Sequence, residues 1–198
     1  RLEITGISGA SAGAVNAVML ADGLTRGGAE EARKRLAEFW RAASTGGSLP
    51  PVQRALTDRL LSMLPFAATP VQSWFEAMAR HFSPYDLNPL NINPLKDLIA
   101  RFVDFDAVRE ADLALYIAAT NGHTGRLTLF SREAITADAV MASAALPFLF
   151  RAVEIHGVPF WDGGYMGNPP IFPFLQSTEA EDVIVVQINP VVRATTPR

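Results

Sequence analysis

In the stretch "GISGASAGAV" a serine, Ser11, stands between Gly9 and Gly13. A serine hydroxyl is a weak nucleophile until a neighbouring base takes its proton, so the chemistry in question is acyl transfer through a covalent acyl-serine. G-x-S-x-G is a short pattern, and its context decides its value. A nucleophile elbow needs a strand, a sharp turn that holds the serine, and a helix directly behind it. "LEITGI", residues 2 to 7, reads as a buried strand. The turn then spans Gly9, Ala10, Ser11, Ala12 and Gly13. A helix is expected from Ala12 to about Leu20, closed by Asp22-Gly23. Such a helix start directs free N–H groups at a developing oxyanion, with the Ala12 N–H as the nearest donor. The competing explanation is a tight connection that only needs small residues.

A nucleophilic serine needs a base, and the chain has 3 histidines. His156 and His123 fall in the turns "HG" and "NGHTG", and His81 ends a helix in a proline-rich stretch. None is placed as a base should be, although a triad through His156 or His123 stays an alternative. Asp162 in "FWDGGYMGNPP" closes the expected strand 158 to 161, and Gly163-Gly164 lets the backbone turn tightly beside another element. Ordinary turn chemistry explains Asp-Gly-Gly equally well. A carboxylate is a stronger base in an apolar setting, which Phe160, Trp161, Tyr165 and Met166 could supply. Because a strand rises about 3.3 Å per residue, His156 and Asp162 should not share a site.

The elements that must position these groups alternate between helix and apolar strand. "AEEARKRLAEFWRAA" is amphipathic, with acidic residues early and basic residues late. "NPLKDLIARF" starts a helix with Pro94 near its first position. "DLALYIAAT" and "RLTLF" form a hairpin across "NGHTG", a helix covers roughly Ala137 to Ala145, and "FRAVEI" and "VPFW" form a second hairpin at His156-Gly157. "DVIVVQIN", apolar on both faces, reads as a central parallel strand. The expected fold is α/β, a three-layer α/β/α sandwich with a mainly parallel central sheet. Residues 44 to 95, cut by seven prolines, read as an insertion of short helices and loops.

With 198 residues, 49% of them hydrophobic, the chain suits one domain with a large core. A net charge of −3 without a basic stripe argues against nucleic acid as a partner. The absence of cysteine excludes thiolate chemistry and disulfides. No metal or other cofactor is expected, since acidic residues are scattered and no histidine pair has ligand spacing. The expected location is cytoplasmic rather than secreted.

"GASAG", "LNPLNINPL", "ASAALPFLF" and "WDGGYMGNPP", in that order, resemble the patatin-like phospholipase family, and together these stretches span most of residues 1 to 190. The resemblance implies Ser11 as nucleophile and Asp162 as general base of a Ser-Asp dyad, with no histidine taking part. Gly163 and Gly164 are then the proximity motif, and a lipid ester, phospholipid above all, is the substrate. It also implies an upstream glycine-rich loop that completes the oxyanion hole. The chain starts with Arg1 in the elbow strand, so truncation at both ends is expected, and with it reduced activity. Two further expectations follow. The apolar residues Leu60, Met63, Phe66, Trp74 and Phe75 would be core, or would touch a membrane surface. A non-catalytic module that binds lipid or a partner is the alternative function; oligomeric state is left open.

Overall fold

The computed structural model describes residues 3–44, 85, 91–147, 150–177 and 182–186. Strand β1 (Gly6–Gly9) enters the sheet later than "LEITGI" suggests, because its parallel register with the next strand begins at Gly6 opposite Ala114. Helix α1 (Ala12–Ser44) starts two residues after it. The expected stop at Asp22-Gly23 does not occur, and α1 instead breaks at Gly27 and Gly28, the latter left-handed at φ 71°. Gly23 serves close packing: a Cβ there would lie 2.3 Å from the Ala32 Cα, on the second limb of the same kinked helix. Asp22 is fully buried, hydrogen-bonded to Arg26 Nε at 3.0 Å and ion-paired with Arg35 Nε at 2.5 Å. A residue pair that looks like a helix end in sequence is thus a buried joint.

Helix α2 (Pro94–Phe102) has Pro94 at its start and an Asn93 side chain that accepts the Lys96 N–H at 3.0 Å. Helix α3 (Phe105–Glu110), unforeseen from the sequence because it is barely two turns long, is capped by Asp104 on the Ala107 N–H. Both expected hairpins form: β2 (Ala114–Asn121) with β3 (Leu127–Ser131), and β4 (Val153–Ile155) with β5 (Val158–Asp162). His156 at φ 51° and Gly157 at φ 76° make the second turn, with the two positive angles that a tight two-residue connection requires. Helix α4 (Ala137–Ser143) lies between the hairpins, capped by Thr136, and a short α5 (Phe174–Ser177) follows β5.

The fold is α/β, and the sheet among the described residues is mixed. β1 and β2 are parallel, while β2–β3, β2–β5 and β5–β4 are antiparallel. β3 runs along one edge of β2. β1 and β5 share the other: β1 pairs with residues 114–117 and β5 with residues 119–121. One face of β2, Leu115 and Ile117, packs on Val15, Val18 and Met19 of α1 and on Leu98 and Ile99 of α2. Each such buried side chain contributes roughly 1.5–3 kcal/mol of burial. On the opposite face Tyr116 stacks edge-on against Phe174 of α5, 5.8 Å between ring centres.

The expected central strand "DVIVVQIN" is corrected where it is described. Residues 182–186 are outside the sheet and exposed, Val186 at 90%. A run that is apolar on both faces becomes a buried strand only if strands flank it, and no described strand pairs with this one. Nearly all of the expected insertion at 44 to 95, including Leu60, Met63, Phe66, Trp74, Phe75 and His81, lies outside the described residues.

Candidate active site

Ser11 sits in the turn between β1 and α1 at φ 56°. A non-glycine residue in this left-handed region costs roughly 1–2 kcal/mol, so surrounding contacts must hold it there. Two of them involve its own amide: the Ser11 N–H donates to the Ser143 carbonyl at 3.1 Å and to Ser143 Oγ at 3.0 Å. The helix takes hold immediately behind, with Ala14 N–H donating to Ser11 O at 3.0 Å. The flanking glycines have unequal roles. A Cβ on Gly9 would lie 2.3 Å from the Gly13 carbonyl carbon and oxygen, so only glycine lets the strand pass the helix start. A Cβ on Gly13 would meet nothing within 4 Å. Ala12 is exposed, and its N–H donates to no other described residue. It is one of the first-turn amides that have no intrahelical acceptor.

Asp162 ends β5 and is 2% exposed. Its backbone is tied on both sides: the N–H donates to Ala145 O at 3.0 Å, and the carbonyl accepts Thr120 Oγ1 at 2.8 Å. Its Oδ1 accepts the Gly164 N–H at 2.7 Å, whereas Oδ2 is buried with no hydrogen-bond partner among the described residues. A buried carboxylate oxygen in that state is costly unless some group donates to it. Gly163 explains the glycine pair. A Cβ there would fall 2.0 Å from Ala118 O and 3.2 Å from the Ala10 Cβ, which puts the Asp-Gly-Gly turn directly against β2 and the elbow. Of the aromatic and apolar neighbours of Asp162, Phe160 is buried but Tyr165 and Met166 are half-exposed.

The topology brings the two turns to one edge of β2. β1 ends at Gly9 opposite Ile117 and β5 ends at Asp162 opposite Ala119, so the two strands arrive from opposite directions at neighbouring positions on one edge of β2. His156 is at the far end of β5 in an exposed turn, and His123 is exposed in the β2–β3 turn, its N–H bound to Asn121 Oδ1. Ser143, Ala145 and Thr120 went unnoticed as site-building residues in the sequence. The only available signal was a run of small residues in "MASAAL", all of it buried through Ala145. An open groove lined by Glu3, Thr5, Asp112 and Arg132 lies at the opposite end of β1 and β2, away from Ser11. Among the described residues no group of three His, Asp or Glu could hold a metal ion, and no helix is long and apolar enough to cross a membrane.

These features define an α/β protein organised around a serine at a strand-to-helix turn. A family model, patatin-like phospholipase, matches residues 1–175, and the chain belongs to that family of lipid acyl hydrolases. Among curated proteins no relative matches the chain.

Proposed function

We propose that this protein hydrolyses carboxylic esters of lipids through a Ser11–Asp162 dyad. The single observation that carries the reading is the buried, unpartnered Oδ2 of Asp162 on the sheet edge where the elbow of Ser11 begins. Gly164 occupies Oδ1, which leaves Oδ2 to accept the serine proton. In the first half-reaction Ser11 Oγ attacks the ester carbonyl while Asp162 takes its proton. The Ala12 N–H stabilises the tetrahedral oxyanion. Collapse releases the alcohol, which carries off the proton from Asp162, and leaves an acyl-serine. Asp162 then takes a proton from water as its oxygen attacks the acyl carbonyl. The fatty acid departs, and the proton returns to Ser11.

With a short-chain p-nitrophenyl ester, Ser11→Ala should abolish turnover and fluorophosphonate labelling. Asp162→Asn keeps an acceptor for Gly164 and should lower kcat about 10²–10⁴-fold, the usual contribution of a general base. Both variants should unfold within a few degrees of the parent chain. Lipid binding retained by a parent chain that the fluorophosphonate does not label at Ser11 favours a module that binds lipid without cleaving it, and undiminished turnover in Ser11→Ala rules the dyad out.

A further inference from the structure

Resting on that hydrolase reading, we infer that Ser143 is a positioning residue for the nucleophile, and that the tail of α4 sets the placement of Ser11 relative to Asp162. The Ser11 amide has both its acceptors on this one residue, the carbonyl at 3.1 Å and Oγ at 3.0 Å, across 132 residues of sequence. Ser143 is the last residue of α4, where carbonyls have no intrahelical donor and are free to accept from elsewhere. Its side chain is fully buried, and it carries the only hydroxyl between Ala142 and Ala145. A buried hydroxyl is unfavourable unless bonded, so a residue that merely filled space here would be another alanine. Two positions on, Ala145 O accepts the Asp162 N–H at 3.0 Å. Nucleophile and base thus hang from one three-residue stretch of backbone, and a shift of that stretch moves both.

The hydroxyl acts on the turn and does not touch substrate. By fixing the Ser11 amide it holds the left-handed backbone that aims Oγ, so its loss should slow acylation without changing how an ester binds.

The test compares the parent chain with Ser143→Ala, which fits the same space. Ser143→Ala should label with a fluorophosphonate about tenfold more slowly, and its kcat on a soluble p-nitrophenyl ester should fall by the same factor while KM stays within twofold. Amide exchange at Ser11 should accelerate by a similar factor. If Ser143→Ala does not fold, Ser143→Cys replaces it; sulfur is a weak acceptor, and an intermediate rate is expected. Equal labelling rates in a parent chain that does label overturn the positioning role alone. Unchanged amide exchange at Ser11 overturns it as well. A parent chain that is not labelled at Ser11 overturns the hydrolase reading, and this inference with it.

Discussion

Ser11 and His156 adopt almost the same left-handed backbone, φ 56° and 51°, for different reasons. At His156 the tight hairpin imposes both positive angles, and local turn chemistry suffices. At Ser11 the conformation is held by a distant residue, Ser143, and by the closeness of Gly9 to the helix start. The contrast yields a test of the histidine alternative. Asn tolerates the left-handed region better than His and is favoured before Gly in such turns. His156→Asn should therefore leave ester turnover within twofold and keep or slightly raise the melting temperature. A loss of turnover beyond tenfold would return a histidine to the mechanism.

At the scale of the element, the two flanking glycines make a paired prediction. Gly9→Ala forces a methyl into backbone 2.3 Å away and should cost about 3 kcal/mol or more in chemical denaturation. Gly13→Ala meets open space in a helical first turn and should be neutral or stabilising by up to about 1 kcal/mol. Equal costs at the two sites would contradict the close passage of β1 over α1. The pair also marks what the sequence could reveal. The strand–turn–helix unit, both hairpins and the Pro94 helix were legible, because each rests on residues within a few positions of one another, such as His156-Gly157 or the Asn93 cap. Gly23 misled because its reason is Ala32, across the kink. Ser143 was invisible because its partner is 132 residues away. "DVIVVQIN" looked central from its own apolarity, but residues 182–186 lie outside the sheet, since a strand also requires neighbours that its own residues do not encode.

Across the whole molecule, Asp22 joins elements that the sheet does not. It binds Arg26 and Arg35 from the two limbs of α1 and accepts the Asp104 N–H at the start of α3, at 3.1 Å. Its hydrogen bond and charge hold the Arg26 guanidinium above its ordinary pKa. Breaking a buried ion pair by removing one partner is expensive, so Asp22→Ala should lower stability by about 3 kcal/mol in urea denaturation. Removing Glu30, whose pairing with Arg33 is solvent-exposed, should cost under about 1 kcal/mol. A cost below that bound at Asp22 would mean the joint is dispensable. The end-to-end arrival of β1 and β5 on β2 bears, finally, on how the protein becomes competent. The elbow precedes its proposed carboxylate partner by roughly 150 residues, and four helices and the first hairpin lie between them among the described residues. The loop between them must close before the pair exists, so catalytic competence should emerge late in folding, after the helical core has gathered, and a burst of fluorophosphonate reactivity during refolding would time the docking of β5.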